Sequence, residues 1–175
     1  DPGAVAAVSS ATGLRTPVSA TRVPETGWGV AGGVLTVGGA AIPLASMHRA
    51  DAAFVIDVAA AAAGALHLGA DPAAVGRIAT TYRPGKHRRQ VVGSWEGVTW
   101  IDDSKATNPH AALTAIRAYP SVILIAGGRA KGLDVTPLAA EGNVRAIVAI
   151  GEAAPVLVAA SSRTIVATTL EEAVS

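Results

Sequence analysis

The sequence predicts an α/β chain in two parts, the second built on an open parallel sheet with crossover helices. Three observations carry this. Residues 50–68 form a long alanine-rich apolar stretch, "RPGKHRR" (83–89) is an abrupt change of composition, and beyond it short β-branched runs alternate with capped helical patterns. At 175 residues the chain is long enough to bury a real core in one domain or two small ones.

Residues 3–11 read as a short helix. From Gly27 to Leu44, β-prone runs are punctuated by glycine pairs, and "VAGGVL" reads as a hairpin, because paired glycines supply the two left-handed residues a tight turn needs. Residues 50–68, "ADAAFVIDVAAAAAGALHL", are apolar nearly all round, which predicts a helix buried on every side, with Asp57 an interior charge in need of a partner or ligand. Asp71 and Pro72 supply an N-cap and a first helical residue for a helix running to about Tyr82. The domain boundary belongs at 83, giving 1–82 and 83–175.

In the second part, residues 90–101 predict a hairpin turning at Glu96-Gly97. Asn108-Pro109 opens a helix to about 119. The apolar run 121–128, closed by Gly127-Gly128, predicts a strand covered on both faces. A short helix from about Thr136, a strand Ala146–Ile150, a helix from Glu152, a strand Thr164–Ala167 and a helix start at Leu170 complete the alternation. The last helix stops almost as it begins, so this domain reads as truncated, and a start at "DPGAVAAV" without an initiator Met reads as a fragment.

Bulk properties narrow the function. A net charge of +1 without a long basic run argues against nucleic-acid binding. No cysteine is present, which removes disulfides and thiolate metal sites, and the four histidines show no ligand spacing. No apolar run approaches the roughly 20 residues of a membrane span. A soluble cytoplasmic protein without membrane insertion is the expectation.

The polar residues concentrate in two loops. "DDSKATN" (102–108) lies before a helix N-terminus, which favours a nearby anion by about 0.3–1 kcal/mol. Lys105 adds a full charge, Ser104 and Thr107 add hydroxyls, and Asp102 or Asp103 can accept two hydrogen bonds, as a ribose diol or an ammonium requires. "GGRAKGLD" (127–134) offers a close backbone approach at Gly127-Gly128 and a second cation, Lys131. Lys is rare here, three residues against eleven Arg, and a compact ammonium is the better reading where it occurs. Taken singly, each feature is also an ordinary cap, turn or surface ion pair. No G-x-x-x-x-G-K-[ST] loop occurs in the chain. Residue chemistry alone leads to part of a site for an anionic, nucleotide-like ligand.

"RPGKHRRQVV", "WIDDSKATNPHAA" and "ILIAGGRAKGLD", in that order and spacing, resemble the Mur ligase family in an actinobacterial style. The resemblance spans nearly the whole chain. It implies the end of a Mur ligase central ATPase domain followed by a truncated Rossmann-like parallel-sheet domain. The implied reaction uses ATP and Mg²⁺ to phosphorylate the carboxylate of UDP-MurNAc-L-Ala, after which the amine of D-glutamate attacks the acyl phosphate. Arg88 and Asp103 match positions that hold ATP, with Lys105 nearby. Thr107 and Lys131 match positions that bind the D-glutamate carboxylates.

Family members carry an H-N-x-x-N pattern whose amides contact adenine. "AFVID" (53–57) falls there, so Asp57 stands where an Asn is expected and can accept from the adenine amino group but not donate. The phosphate loop, the Mg²⁺ ligands and the UDP-binding domain lie upstream in the family, so the resemblance implies a chain inactive alone, with no metal ligand or catalytic residue of its own, and a monomeric full-length enzyme. A folylpolyglutamate synthase-like ligase and a non-catalytic Rossmann-like binding domain are the alternatives, with the "DSKATN" form arguing against the first.

Overall fold

The computed structural model describes residues 16–175; the helix expected at 3–11 lies outside them. The chain divides into two compact units, one ending at Arg83 and the other covering Pro84–Ser175.

The first unit is built on a four-stranded sheet in the order β1 (Val18–Ser19), β2 (Trp28–Ala31), β3 (Val34–Val37), β4 (Ala40–Pro43). β1 and β2 are parallel, and the other pairs antiparallel. Gly32-Gly33 and Gly38-Gly39 all take positive φ, the requirement of two-residue turns whose twist matches the strands. Alternation then aims Leu35, Val37, Ala40 and Ile42 at one face, where each is buried.

Two helices share the core on that sheet. α1 (Ala52–His67) starts at Asp51, whose carboxylate accepts from the Phe54 amide, and α2 (Pro72–Thr81) starts at Asp71, which accepts from the Ala74 amide. α1 ends where Gly69 turns left-handed, with Ala70 N–H donating to Ala65 O and Gly69 N–H to Leu66 O. Phe54, Val55, Ala59 and Ala62 of α1 and Val75 and Ala79 of α2 join Leu35, Val37 and Ile42 in one cluster.

The expectation of an all-round buried helix is corrected here. Only one stripe of α1 is buried, and Asp57, Ala60, Ala61 and Gly64 face solvent. Alanine's small side chain tolerates either environment, so an alanine-rich helix can look apolar on all sides while only its large residues take the core. Asp57 is exposed and needs no buried partner.

The second unit begins with an antiparallel hairpin, β5 (Gln90–Trp95) and β6 (Val98–Asp102). Its turn is Glu96-Gly97, both at positive φ, as the sequence predicts. α3 (Pro109–Ile116) follows, capped by Asn108 Oδ1 accepting from the Ala111 amide at 2.9 Å. A parallel sheet in the order β7 (Val122–Gly127), β8 (Val144–Ile150), β9 (Thr164–Val166) alternates with α4 (Thr136–Ala140), α5 (Ala154–Ala160) and α6 (Leu170–Val174). Ile116, Leu138, Val144, Ile147, Ala149 and Leu157 form its core.

One expectation changes. The apolar run of β7 is not covered on both faces: Ile123 is 60% exposed, because β7 is an edge strand, and the strand buried on both faces is β8. The β5–β6 hairpin is the one the sequence predicts, and the loop after Asp102 therefore leaves the hairpin and not the parallel sheet.

Candidate functional site

The hairpin register decides what meets what. Gln90 stands opposite Asp102, so the chain before Gln90 runs beside the loop after Asp102. Four contacts join or brace these two segments. The Lys105 amide donates to His87 O at 3.1 Å, and the Arg89 amide to Asp103 Oδ1 at 2.9 Å. His87 Nδ1 lies 2.5 Å from Asp102 Oδ2, and the His87 amide donates to Gln90 Oε1 at 3.1 Å. A carboxylate only accepts, so Nδ1 carries the proton in the imidazole pair.

The backbone here is unusual. Among the described residues, the non-glycine positive-φ positions are His87 (64°), Arg89 (48°), Glu96 (50°) and Lys131 (51°). Glu96 serves the hairpin turn. The other three lie in or beside the two polar loops, at about 1–3 kcal/mol of strain each, and such strain persists only where surrounding contacts hold it. Arg88 stands exposed between two left-handed residues, which sets the direction in which it leaves the chain.

Asp102 is the electrostatic anchor. The hydrogen bond from His87 holds its carboxyl down at about 2, helped by the Ser104 amide and hydroxyl. The folded value lies below the ordinary 3.8, so the stabilisation is full above that pH and is lost as pH falls through about 2. A ¹³C titration of the Asp102 carboxyl is expected to show a midpoint near 2, moving upward in His87→Ala; a wild-type midpoint at the ordinary carboxylate value would contradict the pair.

The helix N-terminus offers less than the sequence predicts. Pro109 has no N–H, Ala111 N–H is taken by Asn108 Oδ1 and Ala112 N–H by Asn108 O. His110 is left, among the described residues of that turn, with an amide open to a ligand. Thr107 and Lys105 are exposed, the Thr107 amide donating to Lys105 O at 2.9 Å.

The second loop leaves the carboxyl end of β7. A Cβ on Gly127 would fall 1.8 Å from Ile150 O, so only glycine fits against β8 there. Gly128 N–H donates to Ile150 O, and Gly128 O accepts from Ala153 N–H, tying this loop to the one after β8. Lys131 is exposed, and Asp134 Oδ1 accepts from the Thr136 amide and hydroxyl at the start of α4.

Arg88, Asp103 and Lys105 are thus brought together on the hairpin side, with Thr107 two residues on. Lys131 stands on the β7 loop, and Asp57 on α1 of the other unit. Residue chemistry alone gives His87 no role and leaves Asp102 interchangeable with Asp103; the resemblance singles out Asp103 but assigns nothing to Asp102 or His87. Counting outward from the Glu96-Gly97 turn puts residues 86–89 opposite 104–107, and the bulge between Val91 and Gly93 shifts the pairing by one, to 103–106. Among the described residues, no group of three or more His, Asp or Glu comes together as a metal site.

No family model matches the chain. Among curated proteins it is 48% identical over 106 residues to the UDP-N-acetylmuramoylalanine--D-glutamate ligase of Frankia casuarinae, a match covering 59% of this chain and 22% of that protein. It is 45% identical over 94 residues to the enzyme of the same name from Mycobacterium tuberculosis, covering 54% of this chain and 19% of that one. The Mycolicibacterium smegmatis counterpart is 49% identical over 84 residues, covering 48% and 17%.

Over these stretches the chain is similar to UDP-N-acetylmuramoylalanine--D-glutamate ligases.

The fold agrees. A MurF from Acinetobacter baumannii superposes with a TM-score of 0.65 at 20% identity, over 80% of this chain and 33% of that one. A second A. baumannii structure, a UDP-N-acetylmuramoylalanyl-D-glutamyl-2,6-diaminopimelate--D-alanyl-D-alanyl ligase, gives 0.62 over the same shares. The chain spans about a fifth of the length of the curated Mur relatives it matches.

Proposed function

We propose that the chain is part of an ATP-dependent ligase that joins D-glutamate to UDP-MurNAc-L-Ala in peptidoglycan precursor synthesis. The observation that carries this reading is the 45–49% identity to enzymes named for that reaction. In the reaction, a carboxylate oxygen of UDP-MurNAc-L-Ala attacks the γ-phosphorus of ATP and ADP leaves. The D-glutamate amine then adds to the acyl-phosphate carbonyl, loses a proton, and the tetrahedral intermediate collapses by expelling phosphate.

The residues of this chain bind and orient. Arg88, a rigid fork set between two left-handed residues, suits the ATP phosphates. Asp103 has one oxygen on the Arg89 amide and a second to offer a ribose hydroxyl, with Lys105 beside it. Thr107, the open His110 amide and Lys131 suit the D-glutamate carboxylates. Asp57, exposed on α1, can accept from the adenine amino group. Mg²⁺ binding and the phosphate loop fall to segments other than these 175 residues, and the chain is inactive alone. The enzyme acts as a cytoplasmic monomer.

The reading is tested by ¹H–¹⁵N NMR titration of the chain with ATP and, separately, with D-glutamate. ATP is expected to move the amides of Arg88, Asp103 and Lys105, and D-glutamate those of Thr107, His110 and Lys131. Perturbations confined to other surfaces would overturn the assignment.

A further inference from the structure

Asp102 has no part in the ligand contacts proposed above, yet one carboxylate there bridges both segments that carry them. Its Oδ2 takes the His87 Nδ1–H at 2.5 Å and its Oδ1 the Ser104 amide at 3.0 Å. The His87 contact adds nothing to the β5–β6 ladder, which ends at the Gln90–Asp102 pair, because His87 lies beyond it. What it does secure is a stretch in which His87 and Arg89 hold left-handed backbone on either side of Arg88. A chain in that conformation relaxes toward ordinary φ values unless something outside it holds it.

We infer that Asp102 is a positioning residue: by gripping His87 and Ser104 it holds Arg88 and Asp103 in one fixed relation, ready for a nucleoside triphosphate. The Lys105–His87 and Arg89–Asp103 hydrogen bonds are the crosslinks that this grip keeps closed. The inference rests on the nucleotide reading proposed above. A carboxylate whose pKa is pulled down to about 2 stays ionised, and so remains a pure acceptor, across the whole neutral range.

The experiment pairs amide hydrogen exchange with ATP affinity in the chain, for wild type, Asp102→Ala and Asp102→Asn. Asp102→Ala is expected to speed exchange at the Arg89 and Lys105 amides by about tenfold or more, the scale of a lost charge-assisted hydrogen bond. Amides paired across β5–β6 should keep their protection, which separates loss of the anchor from unfolding of the hairpin. ATP affinity should fall by a similar factor. Asp102→Asn, which keeps one carbonyl acceptor, should recover both to within about threefold of wild type. Unchanged protection at Arg89 and Lys105 in Asp102→Ala, or unchanged ATP affinity beside a responsive wild type, would overturn the inference. If ATP produces no response even in wild type, the nucleotide reading falls, and exchange alone then decides whether Asp102 anchors the segment.

Discussion

Ile147→Ala is expected to cost the Pro84–Ser175 unit about 3 kcal/mol of unfolding free energy, within the range of about 2–5 for such truncations. Ile147 is fully buried on β8, flanked by Leu124 of β7 and Thr164 of β9, and packed with Leu157, Leu138 and Ala149. Removing its outer carbons forfeits their transfer free energy and leaves a cavity that a strand held on both sides cannot close. Ile123→Ala is the internal control. That side chain, on edge strand β7, is 60% exposed, so its loss should cost below about 1 kcal/mol. Denaturant unfolding of the two variants, compared at constant slope, checks the pair. Equal losses would contradict the assignment of β8 as the central strand.

The second large effect belongs to Asp103. Asp103→Ala is expected to weaken ATP binding by about tenfold to a hundredfold, measured by calorimetry or NMR titration. The carboxylate does two things at once. It satisfies the Arg89 amide at 2.9 Å, which holds that residue in its left-handed conformation, and it has a second oxygen, which the proposed function assigns to a ribose hydroxyl. Losing the first also frees the turn beside Arg88, so unfolding free energy should drop by about 1–3 kcal/mol. Asp103→Asn should fall between, because its amide oxygen can still accept from Arg89 while the charge is gone. An alanine variant with wild-type ATP affinity would remove Asp103 from the site.

These contrasts mark where sequence is informative. Turns and caps were legible because they are local. Glycine pairs at 32–33, Glu96-Gly97, and Asp71-Pro72 and Asn108-Pro109 each act through residues within four positions. Strand order was not legible. "VILIAG" reads as a doubly covered strand, yet whether an apolar run lies at the edge or the centre depends on partners more than twenty residues away. The exposure of Asp57 was missed for a related reason, since alanines mark no face of a helix.

At the site, the polar types were visible but their connections were not. Arg88, Asp103, Lys105, Thr107 and Lys131 are candidates the sequence names, while the His87–Asp102 pair, fifteen positions apart, needed the hairpin register to bring it together. The strain at Arg89 and Lys131 left no mark in the sequence, because Arg and Lys rarely take positive φ, and a lone His, though more tolerant of it, does not announce it.

The most direct test of the ligase reading is phosphate release from ATP by the natural-length protein that contains these residues, supplied with UDP-MurNAc-L-Ala and either D- or L-glutamate. Release that depends on D-glutamate, is absent with L-glutamate, and is absent with the 175-residue chain alone is the predicted result. Release indifferent to glutamate stereochemistry, no release by the natural-length protein, or turnover by the chain by itself would contradict the account.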